Sequence, residues 1–317
     1  MRGASGRFCA VVRVRVPSAA ALVVAVLLGM AACTEPKPEP VRLDIATGSR
    51  TGVYYVFGQA YAAIINRELP HVHANVLVTT ASAENVKLVG GGRVQLGFTQ
   101  ADILPTTGNQ VRAVARVYDD LLHLVTRADG PVRRLADLRG RTVSVGAPGS
   151  GTAITANRLL DVADLAGDQV KVSELGLDAS AEALSKGEID AFFFSGGPPV
   201  KAVEQLVDAM PIRLVELGEW TEPLRVRYSE VYVSRDIPFS VYGLDPISTV
   251  ADPNYLVVSE NMPDDLVYEL TRLLMQYRDE LGVAHPAAGR LNPQSAIATA
   301  PLPLHPGAAR YYQSIKP

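Results

Sequence analysis

The sequence predicts an α/β protein of two similar lobes with a ligand cleft between them. Three observations carry this. Short apolar strands alternate with amphipathic helices. A strand–loop–helix unit recurs 98 residues downstream, at Gly48 and Gly146. In both copies Gly, Ser and Thr fill the loop that opens the helix.

The first unit begins with VRLDIAT (41–47), a short buried strand. A helix follows over 56–69, with Val56, Phe57, Ala60, Tyr61, Ile64 and Ile65 on one face. Strands are expected at 75–78 and 95–99, a helix at 83–88, and two further strands within 113–126. The second unit starts at RTVSVGAPGSGTAITANRLLDVADL (141–165). Further on, VGGGRVQLGFTQ (89–100) aligns with LSKGEIDAFFFS (184–195), pairing Gly92 with Gly187 and Phe98 with Phe193 at an offset of 95. Two similar offsets for two different element pairs point to a duplicated α/β unit. Open α/β sheets bind ligands at the carboxyl ends of their strands, so two such lobes would face each other across a cleft. PNYLVVS (253–259) and an acid-capped helix at 263–281 return the chain to the first lobe, and the Pro-rich tail at 285–314 wraps it. The expected division is lobe 1 over 41–126, lobe 2 over 127–252 and the return over 253–317.

Before the first strand the composition changes. Arg2, Arg7, Arg13 and Arg15 precede an apolar run at 19–28, the layout of a signal peptide over 1–32. The run is too short to cross a bilayer comfortably, which takes about 20 residues. Met30-Ala31-Ala32-Cys33 resembles a bacterial lipobox, with Met30 where Leu is usual, which makes Cys33 a lipidated first residue. The polar, Pro-rich 33–40 reads as a tether that lifts a domain off a membrane. The expected location is extracytoplasmic, at the plasma membrane, in a periplasm or on the outer face. Cleavage removes four arginines and no acid, taking the net charge from −3 to −7, which argues against nucleic acid as a partner. It also removes Cys9, so the mature chain has no disulfide and no free thiol nucleophile.

Catalytic signatures are scarce. There is no G-x-S-x-G elbow, Walker A loop or G-x-G-x-x-G, and no cofactor or metal is expected. His71 and His73 read as a solvated loop pair, and His285 and His305 as packed or hydrogen-bonded to backbone. Asp119-Asp120 and Asp264-Asp265 read as structural rather than as acid/base pairs. What the sequence does offer is recognition chemistry. Ser49, Thr51 and Gly52 stand at one helix N-terminus, and Gly149, Ser150, Gly151 and Thr152 at the other. Free N–H groups and hydroxyls there suit an anion such as a carboxylate. Tyr54 and Tyr55 would add a ring wall and a phenol. Ser82 and Gln100 end strands on the same edge. Either loop taken alone could be a plain helix cap.

These residues resemble the TAXI family, the solute-binding proteins of TRAP transporters. The family's T-G-S-x-x-G-V-Y-Y opening is present at 47–55. Its T-G-G-S-x-x-N turn stands at 79–85, with Thr80 and Ala81 departing from it, and its Q-S-D at 100–102, with Ala101 replacing Ser. P-G-S-G-T matches 148–152, G-x-I-D-A-F-F matches 187–193, and G-x-P matches 197–199. An I-P-x-x-x-Y segment matches 237–242, H-P-A matches 285–287, and the family ending spans 300–312 with Leu302-Pro303 inserted. The resemblance implies a two-lobed type II periplasmic-binding-protein fold that closes on a small carboxylate or amino acid, glutamate or glutamine among them, without catalysis. It adds Gly197 and Tyr242 to the candidate ligand residues. It also implies a separate membrane permease as partner. A sensor that presents its ligand to a receptor kinase is the alternative, and a secreted enzyme a weaker one.

Overall fold

The computed structural model describes residues 40–106 and 110–316. The signal peptide, Cys33 and the tether up to residue 39 lie outside the described residues. From Pro40 onward the chain forms one compact unit.

The first lobe runs β1 (Val41–Ala46), α1 (Val53–Glu68), β2 (Val72–Leu77), α2 (Ser82–Gly90) and β3 (Leu96–Gln100). β4 (Val111–Arg127) leads out of it. The second lobe then repeats the order: β5 (Thr142–Ser144), α3 (Gly151–Val162), β6 (Lys171–Ser173), α4 (Leu177–Lys186) and β7 (Ala191–Gly196). After α5 (Lys201–Ala209), β8 (Ile212–Leu214), α6 (Thr221–Arg227), β9 (Val233–Ile237) and α7 (Phe239–Tyr242), the long β10 (Ile247–Ser259) returns. The chain ends in α8 (Asp264–Gln276), α9 (Arg278–Ala284), α10 (Pro293–Ala296) and α11 (Pro306–Ser314).

Hydrogen bonding joins the strands in the order β2-β1-β3-β10-β4-β7-β5-β6, with β8 beside β4 and β9 beside β10. In each lobe the first strand of the repeat lies between the other two and pairs with both in parallel. β4 and β10 are the long antiparallel strands that belong to both lobes. β10 pairs with β3 at 254–258 and with β9 at 247–251. β4 pairs with β7 only from Leu121 onward. The chain therefore passes between lobes near Tyr118–Leu121 and Ala251–Asn254, inside the strands, several residues before the expected 126/127 boundary.

Two other expectations differ from the structure. Residues 113–126 form one strand rather than two. Asp119-Asp120 carries the acids of a turn, but the backbone there stays paired with Asp252 and Pro253. Asp119 is neutralised by Arg116 at 2.6 Å and Arg235 at 3.6 Å. The expected helix at 263–281 is two helices that meet at Tyr277, whose N–H still bonds the Leu273 carbonyl at 3.0 Å.

Each lobe is packed by the stripe or face that its period dictates. α1 buries Val53, Tyr54, Phe57, Tyr61, Ile64 and Ile65 against Leu43, Ile45 and Phe98 of the sheet and Leu270 and Leu274 of α8. Gly58 permits the close approach, because a Cβ there would stand 2.7 Å from Thr47 Cγ2. In lobe 2 successive residues of β4 and β7 enter opposite cores. Leu124 and Phe193 join one, and Val125 and Phe192 join the other. The tail wraps lobe 1 as expected. It bonds Ala113 on both sides, through Pro303 O at 3.0 Å and His305 N at 2.8 Å, and Tyr312 donates to the Val114 carbonyl at 3.2 Å. Among the described residues no helix is long and apolar enough to cross a membrane.

Candidate ligand-binding site

Four helix N-termini meet at one cavity of about 90 Å³ between the lobes. Gly52 and Val53 begin α1, Ala81 and Ser82 begin α2, Ser150 and Gly151 begin α3, and Gly176 and Leu177 begin α4, and all of them line it. The duplication explains the arrangement. Each lobe offers the loops after its first and second strands at the carboxyl ends of a parallel sheet. Only α3 has a side-chain cap, Ser150 Oγ accepting from Ala153 N at 3.0 Å. The N-caps of α1, α2 and α4 make no side-chain cap hydrogen bond. First-turn N–H donors and aligned peptide dipoles make such ends receptive to an anion. No Lys, Arg or His stands among the lining residues.

Lobe 1 positions its side of the cavity through Asn85. Its Nδ2 donates to the carbonyls of Thr47 (2.6 Å) and Phe98 (2.8 Å), and Thr79 Oγ1 donates to its Oδ1 at 2.7 Å. One buried amide thus ties the loops after β1 and β2 to β3. Ala81 enters α2 with φ +83°, a conformation that favours glycine, so this residue carries strain that a glycine would not. Tyr54 stacks on Phe98 with ring centroids 5.2 Å apart. Its hydroxyl lies 3.2 Å from Ser82 Oγ and also donates to Asn254 Oδ1.

The lobes touch through the cavity. Gln100 Nε2 of lobe 1 donates to Ser195 Oγ of lobe 2 at 2.5 Å. Thr51 Oγ1 donates to Asp178 Oδ1 at 2.5 Å at the rim. Gly151 sits so close to Gln100 that a Cβ built there would collide with its Oε1 and stand 2.8 Å from Ser82 Oγ. Thr152 Oγ1 accepts from Ser195 N at 3.0 Å.

Ser49, Gly52, Tyr54, Ser82, Gln100, Ser150, Gly151 and Thr152 therefore come together in the lining. The other four candidates do not. Thr51 is at the rim. Tyr55 turns outward, its hydroxyl accepting from Arg50 Nη1 at 2.9 Å and Gln59 Nε2 at 3.1 Å. Gly197 packs against the Tyr118 ring and Ala287, where a Cβ would come within 3.0 Å of both. Tyr242 is buried beneath lobe 2. It accepts from Val200 N at 2.8 Å and lies 3.0 Å from His123 Nε2. Burial holds the His123 imidazole down at about 4 and so neutral.

Sequence reasoning missed Tyr118, Asp120, Gly176, Leu177 and the wall of Phe193, Phe194 and Ser195. The duplication held the signal for part of this, since Gly176-Leu177 of lobe 2 occupies the place of Ala81-Ser82 in lobe 1. Asp120 had a signal too, a second acid inside an apolar strand. Burial pushes its carboxyl up to about 8, with Asp119 and Asp102 adding to the rise. Behind it Asp102 is fully buried. Arg158 Nη1 donates to its Oδ2 at 2.9 Å, Tyr232 OH at 2.5 Å and Thr155 Oγ1 at 3.2 Å. Burial and the neighbouring Asp102 hold Asp252 well above the usual carboxylate range.

The model of the NMT1-like family matches residues 45–315. This chain belongs to the NMT1-like family. Among solved structures, one similar to this member of the family is a putative L-cystine ABC transporter protein from Listeria monocytogenes. It is 14% identical, with a TM-score of 0.54 over 79% of this chain and 97% of that one. The GluR0 ligand-binding core in complex with L-glutamate is 13% identical, with a TM-score of 0.51 over 80% and 100% of the two chains. The periplasmic aliphatic sulphonate binding protein SsuA from Escherichia coli is 14% identical, with a TM-score of 0.50 over 88% and 84%. At these identities the likeness is one of fold, and the fold is that of two-lobed periplasmic binding proteins.

Proposed function

We propose that this NMT1-like protein is an extracytoplasmic solute-binding lipoprotein anchored through Cys33. It captures a small carboxylate or amino acid, glutamate- or glutamine-like, and delivers it to the membrane subunits of a TRAP-type transporter. The observation that carries this reading is the meeting of four helix N-termini, three of them without a side-chain cap, on a cavity that has no cationic side chain. Backbone dipoles are then the groups that hold the ligand's negative charge. Ser49, Ser82, Ser150 and Thr152 add hydroxyls, Gly52 and Gly151 let the backbone approach, and Tyr54 and Gln100 close the wall. The molecules named for the proteins of like fold agree in chemistry, since a sulphonate is an anion and cystine and glutamate carry carboxylates. The choice of a TRAP partner rests on the run of TAXI-like motifs from 47–55 to 300–312.

A thermal-shift screen of the purified protein against amino acids, dicarboxylates and alkanesulfonates tests the reading. A ligand at 100 times its Kd adds about 2.7 kcal/mol of stability. At least one carboxylate is expected to raise Tm by several degrees. A folded sample that no carboxylate shifts would refute the proposal.

A further inference from the structure

The cavity wall holds a second kind of chemistry that an anion does not satisfy. Gln100 Oε1 and Asp120 Oδ1 are buried acceptors with no hydrogen-bond partner among the described residues, and the Tyr118 hydroxyl beside them is also unpartnered. Gln100 is 1% exposed, Asp120 3% and Tyr118 4%, and all three line the cavity. The sheet sets them side by side. Gln100 of β3 and Tyr118 of β4 flank Asn254 of β10, and Asp120 follows Tyr118 on the same face. Buried acceptors left without donors are rare in native folds, and their presence on a cavity wall points to a donor supplied from outside. A carboxylate has none to give. An ammonium has three N–H donors and no acceptor.

We propose that Asp120, Gln100 and Tyr118 form an ammonium subsite, so that the ligand is a zwitterionic amino acid rather than a plain carboxylate. This rests on the carboxylate reading above and narrows it. The ligand's carboxylate meets the helix N-termini, and its ammonium meets the end of β3 and the middle of β4. The titratable groups around Asp120 are Asp119 on its own strand, Asp102 after β3, Asp252 on β10, Tyr54 on α1 and Tyr118. None of these is a cation that could take the ligand's place. The empty subsite keeps the Asp120 proton at pH 7, because burial holds the carboxyl at about 8. An arriving ammonium favours the ionised form, so binding releases that proton to the buffer. Affinity then rises as pH increases from 6 to 8.

The test is a calorimetric titration at pH 7 with the amino acid that gives the largest thermal shift and with its counterpart bearing hydrogen in place of the amino group. Wild-type protein is expected to prefer the amino acid by at least about 100-fold. Measured in two buffers of different ionisation enthalpy, binding should release up to one proton. Asp120→Asn, checked for folding by its own unfolding transition, should lose most of the preference and the proton release. If the desamino acid binds as tightly as the amino acid in the wild type, the ammonium subsite is wrong and the carboxylate reading stands. Proton uptake with affinity falling above pH 7 would instead make Asp120 a neutral donor to the ligand and overturn the inference. If neither compound binds, both readings fall together. The wild-type arms decide the matter even where Asp120→Asn does not fold.

Discussion

Replacing Gly151 with alanine is expected to weaken ligand binding by at least about tenfold, equivalent to 1.4 kcal/mol, while the ligand-free protein keeps its Tm. A methyl group at this position occupies the space of the Gln100 carboxamide, and it also crowds Ser82 Oγ at 2.8 Å. Gln100 could swing away only by giving up its hydrogen bond to Ser195 across the cleft. Gly151 and Gln100 lie on different lobes, so the collision exists only when the lobes are closed. The penalty therefore falls on the ligand-binding state, and a ligand shifts the equilibrium only by its differential affinity for that state. Calorimetric affinities for the wild type and Gly151→Ala, together with the two unfolding transitions, check this. Unchanged affinity would mean that the closed arrangement is not the one that binds.

The second large effect concerns stability. Arg158→Met should cost about 3–5 kcal/mol, because it leaves a buried carboxylate without its cation. The Asp102 side chain has no exposed surface, and the Arg158 side chain retains 14%. The guanidinium also bonds the Asp102 carbonyl at 3.3 Å and the Tyr232 hydroxyl at 3.0 Å, so it serves three acceptors at once. Asp252 adds a second carboxyl to the same site, which burial and Asp102 keep protonated. Urea unfolding should show the midpoint falling with an unchanged slope. A loss below about 1 kcal/mol would mean that this pair behaves like an exposed one.

The repeat, the alternation and the loop chemistry were legible in the sequence because each is local. Gly48 and Gly146, or the hydroxyl residues at 49–52 and 149–152, announce a helix N-terminus whatever the rest of the chain does. The contribution of β4 was not legible, because it depends on which strands lie beside it. Asp119 and Asp120 are adjacent and chemically identical. Arginines from β4 and β9 neutralise one, and the cavity receives the other, and only strand pairing separates their roles. The same holds for the tyrosines. Tyr54 and Tyr55 are neighbours, yet the helical turn sends one ring onto Phe98 and the other out to Arg50. Tyr242 matches a family position, but the fold places it beneath lobe 2, where it serves Val200 and His123.

The central claim is that helix N-termini hold the ligand's carboxylate. The most direct measurement is a calorimetric comparison of the ligand identified by the thermal-shift screen with its methyl ester. Hydrogen bonds to a charged group contribute about 1.5–3 kcal/mol each, so the ester should bind at least about tenfold more weakly. An ester that binds as tightly as the acid would contradict the account, because the anion would then not be what the four helices receive.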